Sequence, residues 1–206
     1  MTVDLAYMRR SVDAAFDLVT RNPRAWEKFD LTVEGFYRSF AAFLIIAPIN
    51  IATDAIVVRL AAAERIRQNK PAGEAVYYMS DAVFSTVALC IQWLLFPIAM
   101  LFLLRFLGYA QRYAALVIAH NWGSVVVWLF NLPAFLLFAA GIITSNQAID
   151  INLIVLGLTL YYRFYIAQTA LGAPWTLAAG ITMIDFLLQA NYLFALSRIA
   201  GLWLPA

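Results

Sequence analysis

The chain has 206 residues, of which 64% are hydrophobic, 15% aromatic and 13% charged. A soluble domain carries about 25% charged and about 45–50% apolar residues, so this composition, with a mean hydropathy of +0.79, excludes a disordered tail, a disulfide scaffold and an ordinary cytosolic enzyme, and indicates an integral membrane protein. The net charge of +2, from 14 basic and 12 acidic side chains, is too balanced to point to nucleic acid.

Met1 to Phe29 contains Asp4, Asp13, Asp17 and Glu27 and has no continuous apolar core, so it does not read as a signal peptide, and insertion is expected to begin at a later apolar segment. Leu5, Met8, Val12, Phe16 and Val19 recur at helical spacing and predict one apolar helix face. Asn22-Pro23 is expected to break this helix and start a second, with Asn22 as N-cap and Pro23 at the first helical position. Trp26, Phe29, Val33, Tyr37 and Phe40 form the second apolar face, and Arg9, Arg10, Arg21, Arg24 and Lys28 lie among the polar positions. Residues 1–38 thus read as a pair of amphipathic helices. Either they lie on the membrane surface, with Trp26, Phe29, Arg9, Arg10, Arg24 and Lys28 at the lipid, or they pack on the protein's own loops.

Residues 39–206 read as a transmembrane domain. Crossing the hydrocarbon takes about 20 mostly apolar residues, and five runs qualify, at about 39–58, 82–104, 122–142, 151–170 and 174–197. They are long and continuous, unlike the short alternating strands of a barrel, so the predicted fold class is all-α: a polytopic five-helix bundle. Between the first two spans, Arg59, Arg65, Arg67 and Lys70 precede Pro71, where the extended first helix is expected to break; Tyr77 and Tyr78 mark the following interface. Nine basic residues fall on the side of the N-terminus and five on the other. The N-terminus is therefore expected in the cytoplasm and the C-terminus on the opposite side.

A charged side chain inside a membrane costs a few kcal/mol or more unless it is matched. Asp185 lies near the middle of the fifth span, and Thr182, Asp185, Gln189 and Tyr192 share one helix face, which should turn toward protein or water. Leu171-Gly172-Ala173-Pro174 is expected to fold spans four and five into an antiparallel hairpin. Counting about 1.5 Å per residue from that turn puts Arg163 and Asp185 within reach of one another, and an ion pair is predicted, with Tyr161 or Tyr162 nearby. The pair either fixes helix register or marks a proton or substrate site.

Asp54 lies near the end of the first span, one turn after Asn50 and downstream of Pro48. It reads as an interfacial carboxylate reaching Arg59 or Arg198, or as part of a water-lined notch. Pro97 and Pro133 free backbone carbonyls inside spans two and three, and Asn131, Gln92 and Asn121 are the candidates to serve them. His120, the single histidine, stands just before the third span and is read at headgroup level.

One histidine and one cysteine, Cys90, predict no metal site, haem or intrachain disulfide. No nucleophile elbow, P-loop or HExxH motif is present. No cofactor is expected, and nothing argues for an enzyme.

Several short stretches carry a family resemblance: Pro23-Arg24-Ala25-Trp26 before the first span, Phe106-Leu107-Gly108-Tyr109-Ala110-Gln111-Arg112-Tyr113 leading to Leu132-Pro133, Tyr161-Tyr162, and Leu171-Gly172 before the last span. With the five-span layout behind an amphipathic N-terminus, they resemble the Yip family of Ypt/Rab-interacting membrane proteins, in its bacterial form. The resemblance implies membrane-organising, vesicle-related or assembly roles for eukaryotic members and, for bacterial ones, little beyond the fold; the expected location is a bacterial cytoplasmic membrane. The Asp-Leu-Tyr-Gly-Pro string of the eukaryotic members is absent, and Ala47-Pro48 stands in the first span, which argues against a Rab-type partner. The expected function is non-enzymatic, as a scaffold, organiser or accessory subunit acting through the lipid bilayer, other membrane proteins or self-association. The alternative is a small oligomeric transporter or channel whose seam includes Asp185, Gln189, Asn131, Asn50 and Asp54.

Overall fold

Hydrocarbon offers amide groups no hydrogen bonds, so apolar runs of this length must satisfy their backbone internally, as helices. The structure, a computed structural model, describes residues 4–67 and 82–202. Among these there are eight α-helices, one 3-10 turn and no strand. Five helical segments are long and apolar enough to cross a membrane: Val33–Asp54, Val83–Phe106, Ala110–Ala139, Asn146–Leu171 and Trp175–Leu196. The chain is an all-α, multi-pass bundle.

Helix α1 (Leu5–Val19) is capped by Asp4, whose carboxylate accepts from Tyr7 N at 2.7 Å. Its buried face is Tyr7, Ser11, Ala14, Ala15 and Leu18. This corrects the expected face, since Leu5 remains 83% and Phe16 41% exposed. The reason is the close approach of two helix backbones, which small residues permit and large ones prevent.

Arg21, at φ 56°, turns the chain out of α1. Asn22 is not the cap of the next helix: its side chain accepts from Arg24 N at 3.1 Å in a local turn, and α2 (Ala25–Lys28) starts after Arg24. The Asp30 carboxylate accepts from Thr32 N (3.1 Å) and Thr32 Oγ1 (2.6 Å), and these bonds hold it below its usual range. Thr32 in turn caps α3 (Val33–Ser39) by accepting from Gly35 N at 3.1 Å.

The break between α2 and α3 splits the second predicted apolar face. Phe29 is buried and Trp26 packs partly against the core, whereas Val33 and Tyr37 are exposed. Trp26 and Phe29 are therefore packing residues rather than a membrane-surface pair. Arg9, Arg10 and Arg24 are exposed, and Lys28 pairs with Asp17 at 2.5 Å.

The spans are carried by α4 (Ala42–Arg67), α5 (Ala82–Phe106), α6 (Tyr113–Ala139), α7 (Ser145–Leu171) and α8 (Trp175–Leu202). Helix α4 runs unbroken to Arg67; the break expected at Pro71, and Tyr77 and Tyr78, lie outside the described residues. The third span begins near residue 110 rather than 122. Polar His120 and Asn121 resembled a boundary, but both are buried deep in α6.

Helix α6 is the hub. It packs on α1, α3, α4, α5 and α7, while α8 packs on α7 and α5, and α4 on α5. The five spans thus close into a ring. Leu116 to Val126 are buried without a gap, the pattern of a helix surrounded on all sides. The opposite faces carry exposed apolar residues such as Ile91, Ile98, Phe102, Leu153, Ile154 and Met183, suited to lipid.

Gly35 sits where α3 crosses the preceding loop. A Cβ there would lie 2.0 Å from the backbone oxygen of Asp30, and the Gly35 carbonyl accepts from the buried Tyr7 hydroxyl at 3.3 Å. Gly35→Ala should therefore destabilise the α1–α3 region by about 1–3 kcal/mol. Limited proteolysis should show faster cleavage within residues 20–40; an unchanged cleavage rate would contradict the packing described.

Candidate functional site

Arg163 enters the bundle from α7 about 12 Å along the helix from its last residue. Its Nη1 donates to the His120 carbonyl at 2.9 Å and its Nη2 to Ser124 Oγ at 2.8 Å, both on α6. Its Nε lies 3.8 Å from Asp185 Oδ2 on α8. The same carboxylate oxygen lies 3.3 Å from His120 Nε2. The His120 ring stacks on Phe96 of α5 at 3.6 Å between centroids. Four helices thus meet at one buried cluster.

The cluster corrects the reading of His120 as a headgroup-level side chain: it is 7% exposed and faces Asp185 inside the ring. Tyr161 and Tyr162 do not join the pair. The Tyr162 hydroxyl donates to the Ala15 carbonyl of α1 at 2.8 Å, and Tyr161 is exposed, with the Arg21 guanidinium 5.1 Å from its ring. Helices α6 and α7 reach this closeness at Gly123, where a Cβ would meet Ile166 Cδ1 at 2.8 Å.

The stripe on α8 faces inward. Thr182 Oγ1 donates to its own helix, at Ala178 O (2.9 Å). Gln92 Nε2 of α5 donates to Gln189 Oε1, and Tyr192 donates to the Ala88 carbonyl at 2.7 Å. A second polar cluster lies further along: Asn50 Nδ2 donates to Asp54 Oδ2 at 2.8 Å, and Ser85 Oγ of α5 bonds the same carboxylate oxygen. Asp54 therefore belongs to an interhelix cluster, while Arg59 and Arg198, its other expected partners, have side chains outside the described residues.

The amides expected to serve proline-freed carbonyls do other work. Asn131 Nδ2 donates to Val127 O at 2.8 Å, Asn121 Nδ2 to Ser39 Oγ at 2.9 Å, and Gln92 to Gln189.

These groups wall two adjoining cavities. A cavity of about 380 Å³ is lined by His120, Ser124, Arg163, Asp185, Gln189 and Gln92, among others. It shares Gln92, Val127, Trp128 and Leu193 with a cavity of about 710 Å³ that includes Asp54, Asn131 and Asn152. A separate small space of about 10 Å³ lies among Phe96, Leu116, Ile166 and Ile181 and the cluster residues His120, Arg163 and Asp185.

Within the cluster, Asp185 Oδ1 and His120 Nδ1 are buried without a hydrogen-bond partner. Unmatched polar atoms in such a place are costly. His120 and Asp185 both line the 380 Å³ cavity, although these two atoms are themselves inaccessible.

His120, Ser124 and the cavity's share of α5 were missed as site residues by sequence reasoning. A signal existed: His120, Ser124 and Asn131 are four and then seven residues apart, one face of a helix, by the same test that singles out Asp185.

Asp185 and Arg163 should be strongly coupled. Asp185→Leu alone leaves a buried guanidinium without its carboxylate, a loss of about 3–5 kcal/mol. The double variant Arg163→Met/Asp185→Leu should recover much of it, and thermal melts of the three variants would reveal the non-additivity. Additive losses would mean that the pair is not coupled.

Scans against protein-family models, curated proteins and solved structures returned no match.

Proposed function

We propose that the chain is a small membrane transporter whose substrate enters the ring of spans from the end opposite α1. The observation that carries this reading is the pair of adjoining cavities, about 710 and 380 Å³, beside the buried His120–Asp185–Arg163 cluster. A cluster built only to fix helix register needs no such space. Intramembrane ionisable groups beside a cavity are characteristic of substrate and proton pathways. The distribution of Lys and Arg supports a cytoplasmic N-terminus. A bacterial cytoplasmic membrane is the proposed location.

The test is uptake by proteoliposomes offered a panel of radiolabelled amines, carboxylates and sugars. At least one solute should enter in a protein-dependent way, and Asp185→Asn should slow its entry at least tenfold. Rates equal to empty liposomes for every solute would overturn the proposal.

A second reading, as a non-enzymatic organiser or accessory subunit of the Yip type, is favoured by a different observation. Leu5, Phe16 and Val19 form an outward apolar stripe on α1 beside exposed Arg9, with Arg10 on the polar side. Such a surface suits an anionic lipid interface or a partner protein. Replacing Leu5 and Phe16 by Ser should then cost little stability yet release co-purifying lipid or protein. Unchanged co-purification would remove this reading.

A further inference from the structure

The larger cavity has a chemical character that narrows its occupant. It lies within the ring of spans and takes residues from each of them, from Thr53 and Asp54 on α4 to Leu193 on α8. Among its described lining residues one side chain is charged, and it is the carboxylate of Asp54. Among the described residues no cation lies within ion-pair distance of Asp54, whose carboxylate accepts from the neutral Asn50 and Ser85. The contrast with the neighbouring cavity is sharp, because there Asp185 faces Arg163.

A negative group in a low-dielectric wall repels anions and attracts cations over the whole chamber. The rest of the wall selects among cations. Asn131 adds a polar side chain to this wall, with its Nδ2 engaged at Val127 O. Trp128, Phe135 and Phe138 contribute aromatic surface, which attracts positive charge by its ring quadrupole, tryptophan most strongly. A small metal ion needs six or more oxygen ligands, or keeps its water, and this mostly apolar wall supplies few. A volume of about 710 Å³ falls within the range of small-molecule sites, about 300–1,000 Å³.

We propose that this cavity binds a lipophilic organic cation, a quaternary ammonium, phosphonium or substituted amine, with its charge toward Asp54 and its apolar groups against Trp128, Phe135 and Phe138. The proposal rests on reading the cavity as a substrate path, and it names the substrate class.

The experiment is equilibrium binding of tritiated tetraphenylphosphonium to the full-length protein in detergent. Tetraphenylborate, of the same shape and opposite charge, serves as competitor. Saturable binding that unlabelled tetraphenylphosphonium displaces and tetraphenylborate does not is the expected result. Asp54→Asn should weaken it at least tenfold, Asp54→Glu by less than about threefold, and Trp128→Leu by threefold or more. Absence of saturable binding, equal displacement by tetraphenylborate, or full affinity in Asp54→Asn would overturn the proposal. Should Asp54→Asn fail to fold, Trp128→Leu decides alone, and unchanged affinity there is the contrary result. Uptake of some solute without phosphonium binding would overturn the cation site and leave the transport reading. Phosphonium binding by a protein that moves no solute would uphold the site and overturn transport.

Discussion

A guanidinium held inside a bundle that sits in hydrocarbon must find its acceptors within the protein, and Arg163 dictates much of what surrounds it. Two of its nitrogens are satisfied by one turn of α6, at His120 O and Ser124 Oγ, and the third faces Asp185 of α8. Each contact requires a particular rotation and height of the helix that supplies it. Helix α7 is therefore locked against both of its neighbours in the ring. The close contact at Gly123 and the gap-free burial of Leu116 to Val126 follow from the same demand, since a guanidinium shared between helices draws their axes together.

The spans were legible because their signal is strong: some twenty apolar residues in a row have few ways to fold in a membrane. The inward turn of Asp185 and Gln189 was legible too, because polar spacing on a hydrophobic helix stands out from its background. His120 was not, since a histidine followed by an asparagine resembles the rim of a membrane. Helix α6 begins earlier, at Tyr113, and that moves His120 from the rim to the interior. The face of α1 was misjudged for another reason. Periodicity weighs side chains by size, whereas the contact with α6 and α7 is made through Ser11, Ala14 and Ala15, residues selected for what they lack.

The polar groups of the interior divide by charge balance. Around Asp185 a cation and a carboxylate offset each other, and the residual need is for hydrogen bonds to Asp185 Oδ1 and His120 Nδ1. Around Asp54 the described hydrogen-bond partners, Asn50 and Ser85, are neutral. The interior thus presents two distinct polar clusters, with the Gln92–Gln189 bond between them. Either the organiser reading or the transport reading must account for that asymmetry, and transport does so directly.

Helix α1 lies across both α6 and α7, joined to one by the edge-to-face contact of Tyr7 with Trp122, 5.7 Å between centroids, and to the other by the Tyr162 hydroxyl on Ala15 O. It thereby ties α6 to α7 from outside. The opposite seam, between α5 and α8, is held by Gln92 with Gln189 and by Tyr192 on Ala88 O, bonds that water can replace one at a time. The ring is thus tied from outside on the α6–α7 side, whereas the bonds between α5 and α8 lie toward the end away from α1.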